Sequence, residues 1–375
     1  MKLRINRLEL LSGLNKVSKA VNAKTPLLAL TGIKFTLSDN QLELIGSDSD
    51  LSIRVVIEKE KNNKQIMEVE EIGSIVINDK IICEIIRKVD SEMVEISVID
   101  NLAKIKSDKS IFSVNCIPAI DYPPIAFNDI AYGQSFMIDA LELKSLFDQT
   151  LFATSDKESR PVLTGLNFKC EGNTLEVVAT DTYRLTKKVL NIQEELQFNV
   201  TIPRNALDDV NKIVELGQTV KVNISDKKVS FDLGECIINT RVISGTYPDT
   251  SRLIPTEFSQ VLNISTKELV GAVDRASILL TEKNNVVKLN MDNEEVFVSS
   301  KSMEVGYVVE KLNEYSYEGD KLTISFSAKY LLDAIKALAS EEISLHFTGD
   351  MKPIILKSKT NPDLTQLILP VRSYN

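Results

Sequence analysis

Leu30-Thr31-Gly32-Ile33 returns as Leu163-Thr164-Gly165-Leu166, an offset of 133 between residue 30 and residue 163. The same offset joins three further pairs: Phe35 and Phe168, Asn40 and Asn173, and Asp48 and Asp181. A third, more diverged copy begins at Ile264-Ser265-Thr266-Lys267-Glu268-Leu269. A repeat of about 125 residues has the size of a domain and not of a solenoid unit. The sequence of 375 residues therefore predicts three similar domains.

Within each copy the pattern predicts a strand, a helix, several strands, a second helix and several more strands. Apolar residues at helical spacing mark two helices per copy. The stripes of the first helices are Leu10, Leu14, Val17 and Val21; Leu143, Leu146, Phe147, Thr150 and Leu151; and Leu269, Val273, Ser277 and Leu280. Those of the second helices are Ile82, Ile85, Ile86 and Val89; Leu207, Val210 and Val214; and Leu331, Ile335 and Leu338.

Between the helices apolar and polar residues alternate with period two, as in residues 94–98 and 220–224. This alternation is typical of antiparallel strands with one buried face. The predicted fold class is α+β, with three tandem copies of a two-helix domain built on antiparallel sheet. We expect domains at residues 1–128, 134–252 and 260–375.

The sheets of the three units are expected to join edge to edge, with the six helices on the other face. Because an open sheet edge invites aggregation, such an array is best closed into a ring. The helical face carries the basic residues Lys16, Lys19, Arg87, Lys88, Lys144, Lys212, Arg275, Lys329 and Lys336. Acidic residues balance them, so each helix is close to neutral. This pattern fits either a solvated mixed-charge face or a surface that touches DNA weakly.

Composition indicates an ordinary globular chain, with 43% hydrophobic and 26% charged residues. The net charge of -9 argues against a generally basic nucleic-acid binder but leaves room for a local basic surface. No apolar run is long enough for a transmembrane helix, and we expect no signal peptide. The isolated cysteines are interpreted as reduced thiols of a cytosolic protein: Cys83, Cys116, Cys170 and Cys236.

The residues needed for catalysis are scarce. The one histidine, His346, lies in an alternating strand that turns it outward, and a lone histidine cannot build a multi-histidine metal site. No phosphate-binding or nucleophile motif is present. Asp48 and Asp181 recur at strand ends, where capping of an Asx turn is the usual role. We expect no enzyme activity, no metal and no cofactor.

Three segments carry a resemblance to a known family: Val178-Ala179-Thr180-Asp181-Thr182-Tyr183-Arg184-Leu185, Ser244-Gly245-Thr246-Tyr247-Pro248-Asp249 with Arg252-Leu253-Ile254-Pro255, and Leu369-Pro370-Val371-Arg372. With them the chain resembles the bacterial DNA polymerase III beta subunit, the replicative sliding clamp, along its whole length. The resemblance implies a head-to-tail homodimer whose six domains form a closed ring around duplex DNA. It also implies a non-catalytic processivity factor, cytoplasmic and nucleoid-associated. Its implied partners are a clamp loader, the replicative polymerase, repair polymerases and ligase-type clients.

The resemblance places a peptide-binding pocket between the second and third copies. It would use Leu163, Thr180, Tyr183, Arg184, Leu185, Pro248, Arg252, Leu253, Tyr330, Leu369, Pro370, Val371 and Arg372. Apolar walls with a few polar groups suit a short peptide. On the residues alone, Leu163 and Leu185 could be core, Pro248 a strand terminator and Arg184 a surface ion-pair partner.

This chain departs from the family pattern at three places. Thr182 stands where the family has glycine, so a turn with positive φ would be strained. Pro161 and Val162 stand where the family has DNA-contacting aromatic residues, which leaves Lys157 and Arg160 as that loop's candidate phosphate contacts. Lys24, at the repeat position of Lys157, is the first-domain candidate. The extension Ser373-Tyr374-Asn375 is expected to crowd the mouth of the pocket.

The dimer interface is predicted to place Phe112 and Val114 of the first copy near Ile278 and Leu279 of the third. Two hypotheses of other classes remain open beside the clamp. One is a three-domain cytosolic scaffold that binds peptides without encircling DNA. The other is an enzyme with its site at a domain interface.

Overall fold

The computed structural model describes residues 1–127, 133–281 and 285–372. The predicted boundary at residue 128 and the extension Ser373–Asn375 lie outside the described residues. By their internal contacts the residues group into two compact units, one of residues 1–141 and 206–242, the other of residues 142–205 and 243 onward. The second copy of the repeat is thus divided between the two units. The predicted three-domain boundaries stay a prediction.

The first copy has the predicted order of strands and helices. Its elements are β1 Lys2–Asn6, α1 Arg7–Val17, β2 Gly32–Leu37, β3 Gln41–Ser47, β4 Leu51–Glu58, β5 Glu60–Lys61, β6 Lys64–Gln65, β7 Met67–Glu71, β8 Gly73–Asn78, α2 Asp79–Lys88, β9 Met93–Ile99, β10 Leu102–Lys106, β11 Ile111–Asn115 and β12 Ile117–Pro118.

The second copy merges strands that are separate in the first. Its elements are β13 Gln134–Asp139, α3 Ala140–Thr150, β14 Gly165–Thr180, β15 Arg184–Pro203, α4 Arg204–Ile213, β16 Thr219–Ile224, β17 Lys228–Asp232 and β18 Cys236–Arg241. The third copy has β19 Gln260–Ser265, α5 Thr266–Ser277, β20 Val286–Met291, β21 Val296–Ser302, β22 Gly306–Lys311, β23 Tyr315–Glu318, β24 Leu322–Ser327, α6 Ala328–Leu338, β25 Glu342–Phe347, β26 Ile354–Lys357 and β27 Leu364–Ile368.

The helix stripes are confirmed in position, except at their last residues. Leu10, Leu14 and Val17 of α1 are fully buried, but α1 ends at Val17 and a 3-10 turn follows, so Val21 lies beyond the helix. Leu151 likewise lies in a 3-10 turn after α3, and Leu280 lies after the end of α5. Helical periodicity overshoots here because a 3-10 turn keeps nearly the same apolar spacing.

The first unit contains a five-stranded sheet of order β11-β10-β9-β1-β7 and a nine-stranded sheet of order β12-β8-β2-β3-β4-β18-β17-β16-β13. The nine-stranded sheet crosses from the first copy to the second where β4 pairs antiparallel with β18. In that pair Val55 lies opposite Cys236 and Leu51 opposite Thr240. The expected edge-to-edge joining of neighbouring copies is confirmed at this junction.

The second unit contains a seven-stranded sheet of order β14-β15-β27-β26-β25-β19-β23 and a four-stranded sheet of order β22-β21-β20-β24. Here β15 of the second copy pairs antiparallel with β27 of the third. Arg184 lies opposite Ile368, and Lys188 lies opposite Leu364. The second junction therefore repeats the strand pairing of the first.

The repeated Leu-Thr-Gly motif has a steric cause. A Cβ added to Gly32 would lie 2.7 Å from the carbonyl oxygen of Ile77, and one added to Gly165 would lie 2.3 Å from that of Ile202. Both distances are shorter than any real contact of this kind. The first two copies therefore need glycine where the first strand after the helix passes close to the neighbouring backbone.

Candidate functional site

The turn between β14 and β15 is built by the side chain of Asp181. Its Oδ1 accepts hydrogen bonds from the backbone amides of Tyr183, at 2.9 Å, and Arg184, at 3.0 Å. Thr182 between them has φ of 80°, so the predicted positive backbone angle is confirmed for a residue other than glycine. The turn leaves the Tyr183 ring half exposed and directs Arg184 inward.

The first copy contains the same turn. Asp48 Oδ1 accepts from the amides of Asp50, at 3.0 Å, and Leu51, at 2.8 Å, and Ser49 has φ of 85°. The interpretation of Asp48 and Asp181 as Asx-turn caps is therefore confirmed. These carboxylates accept backbone hydrogen bonds and shape the chain, and this role accounts for their recurrence.

Arg184 lies at the centre of the site with its side chain only 11% exposed. Its Nε donates to Asp181 Oδ2 at 2.9 Å, and its Nη1 donates to Asp333 Oδ2 at 2.7 Å. The guanidinium carbon lies 4.5 Å from the centroid of the Tyr330 ring and 5.2 Å from that of Phe152. An ion pair does exist, but it is largely buried and not a surface pair. Two carboxylates and two aromatic faces compensate the loss of hydration of this cation.

An apolar floor lies beneath the turn. Its buried members are Leu163, Val178, Leu185, Tyr247, Ile355 and Leu367. Val162, Ile254 and Phe258 pack against it and remain partly exposed. The alternative that Leu163 and Leu185 are core residues is thus correct as to their burial. It is compatible with a pocket, because a rigid apolar floor is what an aliphatic or aromatic anchor requires.

An aromatic pair stands over the buried cation. The rings of Tyr183 and Tyr330 stack with centroids 6.5 Å apart and an interplanar angle of 27°. Burial and then the Asp181 carboxylate raise the pKa of the Tyr330 hydroxyl, while Arg184 opposes this change. Tyr330 therefore stays neutral at physiological pH.

The loop before β19 supplies exposed residues. Pro248, Arg252 and Leu253 are all exposed, and Leu253 ends a short 3-10 turn, Ser251–Leu253. Their chain neighbours Tyr247 and Ile254 pack on the apolar floor. The loop is thus anchored beside the floor by its buried residues and presents the three predicted ones to solvent.

The C-terminal segment joins the site through its backbone. The amide of Leu369 donates to the carbonyl oxygen of Tyr183 at 2.8 Å, and the amide of Val371 donates to that of Ser325 at 2.7 Å. The amide of Ile243 in the second copy binds the carbonyl oxygen of Thr201 in the same manner, at 2.8 Å. Leu369, Val371 and Arg372 are exposed and Pro370 is half-buried. The segment therefore continues the last strand of its copy and is held in place up to Val371.

Three contributors to the site were not among the predicted residues: Phe152, Asp181 as an ion-pair partner, and Asp333. Asp333 lies one helical turn after Tyr330 on α6, so the i, i+3 spacing would have placed it on the same face. The contact of Asp333 with Arg184 spans 149 positions in the sequence, and no local pattern indicates it.

The candidate DNA contacts are all exposed. The amide of Lys24 donates to Asn22 Oδ1 at 2.9 Å. In the same way the amide of Lys157 donates to Ser155 Oγ at 3.1 Å. Arg160 immediately precedes the 3-10 turn Pro161–Thr164. Equivalent polar turns therefore present Lys24 and Lys157, each within its own unit.

The candidate interface residues differ in exposure. Ile278 is 77% exposed and Leu279 is half-buried just after α5. On β11, Phe112 lies opposite Ile105 and Val114 opposite Ala103, so both point to the buried face of the five-stranded sheet. Val114 is only 9% exposed. The exposed apolar side chain of this strand is Ile111.

Among residues 1–127, 133–281 and 285–372 there is no group of three or more His, Cys, Asp or Glu side chains arranged to hold a metal ion. No helix in that part of the chain is long and apolar enough to span a membrane. His346 lies on the face of β25 opposite the buried Ile343, Leu345 and Phe347, as the alternation predicts. It is half-buried there, with Nε2 2.9 Å from Ser344 Oγ and its ring tilted on Phe258. All four cysteines are free, and burial raises the pKa of the Cys83 and Cys236 thiols to about 12.

Three repeated α+β units, joined through their sheets and with the Arg184 cluster beside the apolar floor, define a protein of the three-domain clamp class. The three domain families of the DNA polymerase III beta subunit match residues 1–126 (N-terminal domain), 137–249 (central domain) and 251–372 (C-terminal domain). The chain belongs to the DNA polymerase III beta subunit family. Its function is that of a DNA sliding clamp, a processivity factor and not an enzyme.

Relatives match over the full length. The beta sliding clamp of Bacillus subtilis is 40% identical over 380 residues, with all of both chains covered. That of Staphylococcus epidermidis is 37% identical over 378 residues, again with all of both chains covered. The crystal structure of the Bacillus subtilis DNA polymerase sliding clamp superposes with a TM-score of 0.96 at 39% identity and full coverage of both chains. The Streptococcus pneumoniae DNA polymerase III beta chain gives 0.94 at 30% identity, covering 99% of this chain and 100% of that one.

Proposed function

We propose that two copies of this chain close head to tail into a ring around duplex DNA. The observation that carries the proposal is the repeated strand pairing at the two internal junctions, β4 with β18 and β15 with β27. β22, which follows β21 as β4 follows β3, ends the four-stranded sheet, and β11 ends the five-stranded sheet. Pairing β22 of one protomer with β11 of the other would repeat the same junction and remove both open edges.

Exposed apolar side chains near these edges support the dimer. On the β22 side they are Ile278, Met303, Val305, Tyr307 and Val309, and on the β11 side Ile99, Leu102 and Ile111. Apolar patches of this kind mark surfaces that another protein covers. In this proposal Phe112 and Val114 support β11 from its buried face, and Ile278 and Leu279 meet the partner directly.

Lys24, Lys157 and Arg160 are proposed to contact phosphates of the encircled duplex. Such contacts carry no sequence information, so binding would be weak, independent of sequence and steeply reduced by salt. The ring, and not affinity, then holds the clamp on DNA.

The groove formed by the Tyr183 turn, α6 and the C-terminal segment is proposed to bind linear peptides. Its clients would be the clamp loader, the replicative polymerase, repair polymerases and ligase-type proteins. The apolar floor would receive an aliphatic or aromatic anchor, and the exposed backbone and Tyr183 would fix the orientation of the peptide. We further propose a cytoplasmic, nucleoid-associated location and the domain boundaries 1–128, 134–252 and 260–375, which the ranges of the family matches support.

Topological retention is the test of the ring. Clamp loaded onto nicked circular DNA should remain bound through gel filtration and should leave once the circle is cut. Equal retention before and after cutting would contradict encirclement. Light scattering should give the mass of a dimer at micromolar concentration, and small-angle scattering should show a central hole.

A further inference from the structure

Within the first unit, basic residues of the first copy meet acidic residues of the second. Lys16 lies on α1 and Lys19 in the 3-10 turn that follows it, while Asp209 and Lys212 lie on α4 and Glu215 just beyond α4. Lys16 Nζ is 3.2 Å from Glu215 Oε1. Asp209 Oδ1 is 4.0 Å from Lys19 Nζ and 3.5 Å from Lys212 Nζ. Two carboxylates thus lie within 4.0 Å of three ammonium groups.

The geometry of these pairs indicates little value for stability. One carboxylate oxygen is shared between Lys19 and Lys212 at distances of 4.0 and 3.5 Å, longer than a good charged hydrogen bond. The side chains of Lys212 and Glu215 are 61% and 64% exposed, whereas those of Lys16, Lys19 and Asp209 are 24%, 29% and 20% exposed. Long distances and at least one exposed partner in the Lys16 and Lys212 pairs limit what they contribute to the free energy of folding.

Cancellation of charge does not require short contacts. A carboxylate reduces the potential of a lysine within the screening length, about 8 Å at physiological ionic strength. Asp209 and Glu215 lie well inside that distance from their lysines. The pairs therefore lower the positive potential of the helical surface, whereas their effect on the free energy of folding is small.

The same balance occurs elsewhere on the helices. Lys88 Nζ is 3.3 Å from Glu84 Oε2, and Arg275 Nε is 2.8 Å from Glu310 Oε2. Lys16, Lys19, Lys88, Lys212 and Arg275 therefore each lie within 4.0 Å of a carboxylate oxygen. Among these sites, the junction of α1 and α4 is where one acidic side chain faces two lysines.

We infer that Asp209 and Glu215 limit the affinity of the clamp for the duplex that it encircles. This inference rests on the proposed function, in which the helical face surrounds DNA. An unmasked lysine would exchange its carboxylate for a phosphate and release condensed counterions, which strengthens binding at low salt. By holding Lys16, Lys19 and Lys212 in pairs within the protein, the two acids keep phosphate contact weak and the ring free to slide.

The test is the double variant Asp209→Asn, Glu215→Gln, which keeps side-chain shape and removes two negative charges per protomer. We expect it to bind a linear duplex on the order of five- to tenfold more tightly at low salt, with a steeper dependence of affinity on salt. Loaded on a linear duplex, it should run off the ends more slowly than the parent. The matched control is Glu70→Gln, which removes a carboxylate 2.7 Å from Lys2 on strand β7 and should leave DNA affinity unchanged.

Adding Lys16→Gln and Lys19→Gln to the double variant should return affinity and salt dependence to near the parent values. Equal affinity and salt dependence in the parent and the double variant would overturn the inference. A double variant that melts lower and binds DNA no better would overturn it as well, because the pairs would then be structural. Loss of parent clamp from uncut circles would instead contradict the proposed ring. Because retention on circles is measured with the parent protein alone, failure of the proposed ring can be distinguished from failure of this inference.

Discussion

The backbone amide of Leu369 donates a 2.8 Å hydrogen bond to the carbonyl oxygen of Tyr183, across 186 positions of sequence from residue 183 to residue 369. This bond ties the C-terminal segment to the turn that presents the Tyr183 ring. A second bond, from Val371 to Ser325, fixes the segment two residues later. The wall of the proposed groove is therefore an ordered continuation of β27.

Removing residues 369–375 should abolish peptide binding. The truncation deletes the Leu369 and Val371 hydrogen bonds and the exposed apolar side chains of these two residues, while β27 itself remains. Fluorescence anisotropy with a polymerase-derived peptide measures the loss. The control is removal of residues 373–375 alone, which keeps both bonds and should keep binding. If the longer truncation also unfolds the third domain, the main role of the segment is structural, and the loss of peptide binding would not show that it forms the pocket wall.

Tyr183→Ala should weaken peptide binding by about 1–2 kcal/mol with little effect on folding, since truncation of an anchoring aromatic typically has this size of effect. The side chain is 53% exposed, so its removal leaves no cavity in the core. Titration calorimetry and thermal unfolding of the same sample separate the two effects. Tyr183→Phe keeps the stack on Tyr330 and should bind nearly as the parent does. Unchanged affinity in the alanine variant would mean that the peptide binds elsewhere.

Arg184→Ala should affect both folding and binding. It leaves the Asp181 and Asp333 carboxylates without their shared cation and removes a contact with the Tyr330 ring. We expect a loss of about 1–3 kcal/mol in the free energy of unfolding, the range for a charged partner removed from a partly buried pair. Urea denaturation measures it. The double variant Arg184→Ala, Asp333→Asn should recover part of the loss, and a loss no smaller in the double variant would contradict the pairing.

Thr182→Gly should stabilise the protein. A β-branched residue at φ of 80° is held in a left-handed conformation that costs about 1–2 kcal/mol, and glycine adopts it without that strain. Greater freedom of glycine in the unfolded chain offsets part of the gain, so we expect an increase of about 0.5–1 kcal/mol in the free energy of unfolding. The comparison variant Thr186→Gly lies in strand β15 and should destabilise. A lower melting temperature for Thr182→Gly would show that the threonine side chain supports the turn.

Stability should fall as the pH drops below about 6.5, the ordinary pKa of histidine. Burial, and secondly the Lys357 charge, lower the pKa of His346 in the folded protein. Above pH 6.5 neither state binds the proton, so the contribution is absent. Between pH 6.5 and the lowered pKa the unfolded chain binds a proton that the native state does not, so stability declines and then levels off. His346→Gln should remove this part of the pH dependence of urea unfolding, and since the chain has one histidine the comparison is direct.

Much of the fold could be predicted because the residues that determine the local backbone geometry recur with the repeat. Gly32 and Gly165 recur where a Cβ would meet a backbone carbonyl, and Asp48 and Asp181 recur where an Asx turn is capped. Helix ends are less predictable, because a 3-10 turn follows α1 with nearly the same apolar spacing and Val21 continues the stripe beyond the helix.

The interior of the site could be predicted only in part. The resemblance to the family predicts Tyr183 and Leu163 as site residues. The ion-pair partner of Arg184, however, comes from a packing contact between β15 and α6, which no periodicity in the sequence indicates. The pairing of Lys16 with Glu215 has the same origin, since its partners come from different copies. Contacts across a junction depend on how the copies dock, and a pattern within one copy does not contain that information.

The two large sheets each continue from one copy of the repeat into the next, and this continuity affects how the chain unfolds. Half of the second copy shares a sheet with the first copy and the other half shares one with the third, so the middle copy has no sheet wholly its own. Peeling β18 from β4 would break one cooperative block, and peeling β27 from β15 another. We therefore expect the cooperative units of unfolding to differ from the units that repeat in the sequence.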